Sequence, residues 1–359
     1  MSESVKNSES SIDSTKTKPK ILLIGFGGVG TIVSYTLEHL GRAEVVAVAR
    51  PSNFEQLSNR GYRIESCDYG TIENYIPSHV TLTSEEAMEK YGPFDYIVIT
   101  TKNIPDIAPV VDMLDDCYDD KTTIVLIQNG INTEIPIYKR YPKACVLSGV
   151  TLIGTTLYDT TVKHVATDDI KFGPFINYNI DKQYQINKCK EFFNLYSNSN
   201  NKAEYEENVK LTRWRKLVYN TCINTTCAIV NLDVGRVELF GGADSILRPA
   251  MKEVMEVAKS EGIELPDDLP DDMIRGTDGV YYPPSMLIDV RNGTYIEHIV
   301  IIGNVVKIAK KKNIEVPTLT VLNNLLKLIQ YRLMEANGRF VLPERRPTAE
   351  DHYEIRFLD

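Results

Sequence analysis

The chain has 359 residues, enough for two domains, and its 43% hydrophobic and 25% charged residues are ordinary for a globular protein. A formal net charge of -9 argues against a nucleic-acid partner, which requires a basic face. The longest apolar run, residues 299–309, is too short and too interrupted to span a bilayer, so we expect no membrane segment.

The cysteines and the N-terminal segment both indicate a cytoplasmic protein. The 6 cysteines are scattered without the spacing of a metal site, so we expect reduced thiols and no bound metal. Residues 1–18 are rich in Ser, Lys, Thr and Glu, and we expect them to be disordered. This segment lacks the apolar stretch of a signal peptide, and it contains acidic residues but no Arg, unlike a transit peptide.

A glycine-rich turn follows the first predicted strand. The apolar residues 20–24 lead into the turn, and an apolar helix pattern follows it as far as Gly41. Strand, glycine turn and helix in this order form the dinucleotide-binding fingerprint, because the turn lets the backbone and the helix N-terminus approach a pyrophosphate. The cofactor-binding residues predicted here are Gly25, Phe26, Gly27, Gly28, Val29 and Gly30.

The second predicted strand, residues 44–49, ends at Arg50. NAD-binding proteins usually place an acidic residue here to bind the ribose 2′-hydroxyl, whereas an arginine beside Ser52 and Asn53 suits a 2′-phosphate. We therefore predict NADPH/NADP+ as the cofactor. The alternative is that Arg50 is a solvated residue at the end of a strand.

Two further buried-type strands, residues 96–101 and 123–128, lead to Lys102 and Asn129. Ligands of open α/β sheets bind beyond the carboxyl ends of the strands, so both side chains are expected at the cofactor. Alternating patterns within residues 145–175 predict more strands that extend this sheet. We place a Rossmann-type NADP(H)-binding domain at residues 19–200 and a hinge near residues 198–206, where Asn, Ser and Lys dominate.

From residue 206 the pattern becomes helical. We place a helical domain at residues 206–338, including a helix over residues 294–312, and a tail without a clear element at residues 339–359. In the first helix, Lys216, Asn220 and Asn224 stand at i, i+4 and i+8 and therefore project from one side. Because Asn is a poor helix former, this polar line indicates a pocket; the alternative is a solvated face.

Together these motifs resemble the ketopantoate reductase family (2-dehydropantoate 2-reductase) over residues 20–333. The motifs that carry the resemblance are residues 25–30, Arg50, Lys102, 128–130, 214–216 with Asn220 and Asn224, 284–287, Asp289, Gly293 and Glu297. The resemblance implies an α/β protein with an N-terminal Rossmann-type dinucleotide-binding domain and a C-terminal all-helical domain of the 6-phosphogluconate-dehydrogenase type.

The resemblance also implies a role for each site residue. Lys216 would be the general acid and Glu297 its partner, which also faces the cofactor. The residues implied to bind substrate are Asn129, Asn220, Asn224 and Ser285. The residues implied to contact the cofactor, besides the glycine turn, are Arg50, Lys102, Asn129 and Glu297.

The expected reaction is the NADPH-dependent reduction of a small-molecule 2-oxo acid to a 2-hydroxy acid, with ketopantoate as the first candidate. A lysine on an apolar helix can be desolvated, which lowers its pKa and makes it a better proton donor. Before Glu297 the chain reads Thr294-Tyr295-Ile296, where the family tends to read Arg-x-Thr, so the exact substrate stays open.

Three alternatives remain from the sequence. One is a reductase of the same fold with a broader range of 2-oxo acids and esters. A second is a non-catalytic NADPH-binding regulator, and a third is another two-domain hydroxyacid dehydrogenase. The sequence also leaves the oligomeric state open, with a homodimer as one option.

Overall fold

The computed structural model describes residues 17–348 and residue 350. Most of the N-terminal segment predicted to be disordered, and the end of the C-terminal tail, lie outside the described residues. Within the described part of the tail, residues 339–348 form neither helix nor strand.

The N-terminal half is built on an eight-stranded sheet. In sheet order its strands are β12 (Lys202–Tyr205), β11 (Asp169–Phe175), β8 (Cys145–Thr151), β7 (Thr123–Leu126), β6 (Tyr96–Ile99), β1 (Lys20–Ile24), β2 (Glu44–Val48) and β5 (His79–Thr81). All neighbours are parallel except β11 and β8, which are antiparallel. The central strands are mostly apolar and almost fully buried because helices and loops cover both faces of the sheet.

Five helices and a short 3₁₀ turn accompany this sheet. They are α1 (Gly28–Glu38), α2 (Pro51–Arg60), α3 (Ser84–Tyr91), the 3₁₀ turn (Val110–Leu114), α4 (Ile135–Arg140) and α5 (Lys182–Tyr196). A second sheet has four strands in the order β4 (Gly70–Tyr75), β3 (Tyr62–Ser66), β10 (Thr161–Ala166) and β9 (Gly154–Tyr158). The strands predicted within residues 145–175 therefore extend the first sheet only as β8 and β11, whereas β9 and β10 belong to this second sheet, where β10 pairs with β3. Strand β9 lies against the start of α1, because a Cβ atom added to Gly28 would be 3.0 Å from Thr155 Oγ1.

The predicted hinge near residues 198–206 is largely a strand. Lys202 to Tyr205 pair in parallel with Asp169 to Phe172, so the sheet extends past the predicted domain boundary at residue 200. The polar residues that suggested a hinge form the tight turn before this strand, where the backbone N–H of Asn198 donates to Asn201 Oδ1.

The second half is helical, and no described residue between 206 and 338 lies in a strand. Its helices are α6 (Val209–Tyr219), α7 (Thr225–Val230), α8 (Val234–Leu239), α9 (Arg248–Ser260), α10 (Leu269–Arg275), α11 (Ser285–Arg291), α12 (Asn304–Lys312) and α13 (Pro317–Ala336). Three π-helical turns connect or extend them: Asn220–Asn224, Ala243–Leu247 and Ile299–Gly303. Trp214, Leu217 and Val218 of α6 lie in the core of this half.

The helix predicted over residues 294–312 starts later than expected. The segment before Glu297 is not helical, because its backbone N–H groups donate to acceptors outside this helix. The N–H of Thr294 donates to the carbonyl of Asp289, and the N–H of Ile296 donates to the side chain of Gln330 on α13 at 3.0 Å. Glu297 therefore stands on a non-helical segment just before the helix and not on the helix itself.

Candidate active site

The glycine turn between β1 and α1 combines two tightly packed glycines with one open glycine. A Cβ added to Gly25, whose φ is +105°, would lie 2.6 Å from the Thr101 nitrogen, and one added to Gly30 would lie 1.9 Å from the Gly25 carbonyl oxygen. A Cβ on Gly27 would meet nothing within 4 Å. The turn thus leaves open space at Gly27, where α1 begins with free backbone N–H groups, and this space fits a pyrophosphate.

The other residues of the turn play a supporting part. Phe26 is buried with its ring centroid 5.9 Å from that of Tyr62, and Val29 packs against the same core. Their side chains hold the turn on the sheet, so any contact of these two residues with a ligand would come from their backbone. Arg50 is exposed at the residue preceding α2, beyond the carboxyl end of β2.

Lys102 follows β6 and forms an ion pair with Asp289 on α11, so it connects the two halves of the protein. The lysine side chain is 44% exposed and the aspartate side chain is 10% exposed. Burial raises the pKa of Asp289 to about 6, and the nearby Lys102 ammonium opposes this rise.

Lys216, Asn129 and Glu297 form a hydrogen-bonded chain across the two halves. The Lys216 ammonium donates to Asn129 Oδ1 at 2.9 Å and to the carbonyl of Thr151. Asn129 Nδ2 donates to Glu297 Oε2 at 3.2 Å, and the backbone N–H of Asn103 donates to Glu297 Oε1 at 2.9 Å. Because one end of the amide faces a donor and the other an acceptor, the orientation of Asn129 is determined by its neighbours.

The environment of Lys216 favours proton donation. The side chain is partly buried at a small pocket between the two halves. Burial, and then the positive charge of Arg213, lower the pKa of Lys216 to about 8, while Glu297 opposes the change. At neutral pH the group is still mostly an ammonium, and it gives up its proton more readily than an ordinary lysine.

The predicted substrate residues separate into two places. Asn220 shares the pocket with Lys216, whereas Asn224 and Ser285 are outside the set of residues that line it. The pocket is lined by Gln128, Asn129, Gly130, Val150, Arg213, Lys216, Leu217 and Asn220. Asn224 is hydrogen-bonded to the start of α11: it donates to Ser285 Oγ at 3.1 Å and accepts from the Met286 N–H at 2.8 Å.

This separation coincides with a change in helix geometry. Residues Asn220–Asn224 form a π-helical turn between α6 and α7, which carries one extra residue compared with an α-helical path. Lys216 precedes the turn and Asn224 closes it. Such turns are frequent at functional sites.

Sequence reasoning missed Arg213, which is buried beside the pocket and bonded to main-chain carbonyls at the end of β7. A signal was available. Arg213 stands four residues before Leu217 and seven before Asn220, which places it on the inward side of α6.

One group of residues has the composition of a metal site: Cys67, Asp68 and His164 lie together in the second sheet. Ser66 Oγ accepts the N–H groups of Asp68 and Tyr69, so its own hydrogen must go to His164 Nδ1 at 2.8 Å. Burial lowers the pKa of His164 and keeps it neutral, and its remaining proton then lies on Nε2, 3.7 Å from Asp68 Oδ2. With the Nδ1 lone pair used by Ser66, His164 would have to change its tautomer to bind a metal through Nε2, so a hydrogen-bonded cluster describes these residues better. The absence of a metal stays a prediction.

The fold and this site define a two-domain protein with a dinucleotide-binding sheet and a helical partner domain. Residues 21–177 match the family model "Ketopantoate reductase PanE/ApbA", and residues 208–330 match "Ketopantoate reductase PanE/ApbA C terminal". These matches cover more than half of the chain, which belongs to the ketopantoate reductase family of oxidoreductases. The predicted family and fold class are confirmed.

Individual relatives agree with this assignment. An uncharacterized protein of Saccharomyces cerevisiae is 36% identical over 360 residues, covering 92% of this chain and 99% of that protein. The 2-dehydropantoate 2-reductase of Pyrococcus horikoshii is 26% identical over 301 residues, covering 83% of this chain and 93% of the relative.

Solved structures show the same architecture. The 2-dehydropantoate 2-reductase of Methylococcus capsulatus has a TM-score of 0.74 at 27% identity and covers 88% of this chain and 97% of its own. A D-mandelate dehydrogenase in a complex with NADH and anilino(oxo)acetate has a TM-score of 0.76 at 22% identity over 88% of this chain and 99% of its own, and shares the fold. Among the described residues, no helix is long and apolar enough to cross a membrane.

Proposed function

We propose that this protein reduces a 2-oxo acid to a 2-hydroxy acid with NADPH, and that Lys216 donates the proton. The observation that carries the proposal is the hydrogen-bonded chain from Lys216 through Asn129 to Glu297 at the pocket between the halves. A regulator that only binds the cofactor would have no use for a buried lysine aligned by a carboxamide and a carboxylate.

Each residue at the pocket is assigned a separate role in the reaction. The cofactor, when bound, supplies hydride to the carbonyl carbon of the substrate. As the carbonyl oxygen becomes basic, the Lys216 ammonium gives it a proton. Glu297 acts through Asn129: its carboxylate orders the amide, which in turn orients the ammonium towards the pocket. Asn220 lines the same pocket and can bind the polar groups of the substrate without adding charge.

The choice of NADPH rests on Arg50. The open space at Gly27 suits the pyrophosphate of either nicotinamide cofactor, so it does not discriminate between them. Arg50 stands where NAD-binding proteins usually have an acidic residue, and its guanidinium suits a 2′-phosphate. The D-mandelate dehydrogenase of the same fold was solved with NADH, so the preference must be measured in this protein.

Two substrates deserve the first tests. The relative from Pyrococcus horikoshii is named a 2-dehydropantoate 2-reductase, which favours ketopantoate. The D-mandelate dehydrogenase neighbour, solved with a 2-oxo acid that carries an aromatic group, favours a broader range. Thr294, Tyr295 and Ile296 before Glu297 depart from the family pattern, which supports keeping the second candidate.

The test is the oxidation of NADPH and of NADH by the purified protein against a panel of 2-oxo acids that includes ketopantoate and phenylglyoxylate. Ketopantoate should be reduced with NADPH, and the Lys216→Ala variant should lose this activity. Turnover only of aromatic 2-oxo acids would replace ketopantoate by the second candidate. Tight NADPH binding without turnover of any panel member would support the regulator and overturn the proposal. A cytoplasmic location and a homodimer stay predictions, although a Staphylococcus aureus ketopantoate reductase is described as dimeric.

A further inference from the structure

Arg213 is a buried cation whose hydrogen-bond partners are all neutral. Only 4% of the residue is exposed. Its guanidinium donates to Ser148 Oγ at 2.7 Å and to the carbonyls of Gln128, Gly130 and Leu126 at 3.0, 2.8 and 3.4 Å. Burial lowers the pKa of Arg213 to about 10, so it remains charged at neutral pH. Each guanidinium nitrogen has at least one hydrogen-bond partner, but these partners do not neutralise its charge.

The nearest acidic group does little to compensate this charge. Glu134 is buried at the start of α4, and burial raises its pKa, with Arg213 and Lys210 acting in the opposite direction. Its Oε2 atom has no hydrogen-bond partner among the described residues, so it forms no bonded ion pair through this oxygen. The positive charge of Arg213 is therefore felt by other groups nearby.

Two of the bonds of Arg213 surround the residue that holds the proton donor. The carbonyls of Gln128 and Gly130 belong to the residues on either side of Asn129, and one guanidinium nitrogen binds both. This clamp restricts the backbone at Asn129. The side chain of Asn129 then lies between Lys216 and Glu297 at 2.9 and 3.2 Å.

Arg213 is also a helix neighbour of the proton donor. It precedes Lys216 by three residues on α6, a spacing at which side chains adjoin on one face of a helix. Two charged groups act on Lys216: Arg213, which disfavours the ammonium, and Glu297, which favours it. A like charge in a poorly solvated site makes the ammonium a stronger acid.

We propose that Arg213 is a positioning residue for the proton donor: it clamps the backbone that carries Asn129 and places an unneutralised positive charge one helical turn from Lys216. This inference rests on the proposed function, in which Lys216 acts as the acid. It predicts two separable effects. Removing the charge should weaken Lys216 as an acid, whereas removing the bonds should loosen Asn129.

The test compares Arg213→Gln, which keeps hydrogen-bond donors but no charge, with Arg213→Lys, which keeps the charge and fewer bonds. In the unmutated protein kcat should fall as the pH rises through about 8, because Lys216 deprotonates. In Arg213→Gln this fall should move to higher pH by about one unit, and kcat at neutral pH should drop about tenfold. In Arg213→Lys the fall should stay in place, with a smaller loss of kcat.

A third variant covers the case in which Arg213→Gln does not fold. Ser148→Ala removes the bond at Arg213 Nε but keeps the charge of Arg213 and its bonds to the carbonyls, so the fall in kcat should stay near pH 8. The proposal is overturned if Arg213→Gln leaves the pH profile in place, or if Arg213→Lys shifts it as far as Arg213→Gln. It is also overturned if Ser148→Ala, which keeps the charge, moves the profile to higher pH as a loss of the charge would.

A readout without turnover separates this inference from the proposed function. The pH dependence of acylation of the Lys216 amine by acetic anhydride, followed by mass spectrometry of its peptide, reports the pKa of this group directly. A raised pKa in Arg213→Gln, in a protein that reduces no 2-oxo acid, would support the role of Arg213 and reject the function. If the pKa of Lys216 is unchanged in Arg213→Gln while the unmutated protein reduces 2-oxo acids, the result supports the proposed function and rejects the role of Arg213.

Discussion

The ammonium of Lys102 and the carboxylate of Asp289 form an ion pair between the dinucleotide-binding half and the helical half of the protein. The pair occupies Lys102, which sequence reasoning had assigned to the cofactor. A lysine held by a carboxylate is less available to a phosphate. Its availability should therefore depend on the charge of Asp289.

We predict that NADPH binds more tightly to Asp289→Asn than to the unmutated protein. The exposed end of Lys102 limits the gain to about twofold to fivefold. Because the pKa of Asp289 is raised to about 6, the ion pair is intact above this pH and is lost as the pH falls through it. Fluorescence titrations between pH 5 and 8 should show the two Kd values converging at acidic pH. Parallel curves would show that Lys102 does not reach the cofactor.

Lys216→Ala should lower kcat by about 10²- to 10⁴-fold, because its benefit arises when the carbonyl oxygen becomes basic. NADPH affinity should hardly change. Lys216→Arg should restore little, since the guanidinium keeps the charge without a tunable pKa. Arg215→Ala, at the exposed neighbouring position, serves as the control and should retain full activity. An unaltered kcat in Lys216→Ala would falsify the assignment of the proton donor.

Gly27→Val should abolish NADPH binding and leave the fold intact. The structure supports both halves of this statement, because a Cβ at Gly27 meets no atom within 4 Å and would project into the open space assigned to the pyrophosphate. Gly30→Val is the matched contrast: its Cβ would lie 1.9 Å from the Gly25 carbonyl oxygen, so it should lower the melting temperature as well. Calorimetry and NADPH titration on both variants separate the two effects.

Arg50→Ala should narrow the preference for NADPH over NADH by about tenfold or more, which corresponds to losing one charge-assisted contact of about 1.5–3 kcal/mol. NADH binding should stay nearly constant, because Arg50 is exposed and assigned only to the 2′-phosphate. Comparing kcat/KM for both cofactors measures this. Equal kcat/KM values for NADPH and NADH in the unmutated protein would contradict the assignment of Arg50 to the 2′-phosphate.

Asn220→Ala and Asn224→Ala should both raise KM, but only the second should also reduce stability. Asn224 bonds both Ser285 and the Met286 N–H at the start of α11, and losing such a helix cap costs about 1 kcal/mol. Asn220 lines the pocket instead. Urea unfolding and substrate titration on both variants test the distinction. A stability loss in Asn220→Ala equal to that in Asn224→Ala would contradict it.

Local sequence patterns predicted most of the architecture. The order of strand, glycine turn and helix at residues 20–38 has few structural solutions, and the structure confirms it. The i, i+4 and i+8 spacing of Lys216, Asn220 and Asn224 predicted an inward-facing polar line, and all three are partly or fully buried, although the π-helical turn separates Asn224 from the pocket that the other two line. These predictions succeed because each depends on residues close together in the chain.

The features that were missed depend on distant partners. The backbone before Glu297 is not helical because the N–H of Ile296 donates to the side chain of Gln330, 34 residues further along the chain. Strand β12 has the polar sequence Lys-Ala-Glu-Tyr, typical of a sheet edge, and only its pairing with β11 reveals it. Arg213 was passed over because its partners are main-chain carbonyls, so that only its position on the inward side of α6 marks it in the sequence.

Because the π-helical turn Asn220–Asn224 lies between α6 and α7, the number of residues in it determines how the two helices are rotated relative to each other. One residue of an α-helix corresponds to about 100° of rotation, so an extra residue turns everything after it relative to everything before it. Deleting a single residue within the turn would leave Lys216 in the pocket but swing α7 around its axis and carry Asn224 away from Ser285. The number of residues in this turn thus determines both where Lys216 stands relative to the pocket and whether Asn224 reaches α11, and the loss of one residue would keep the first and break the second.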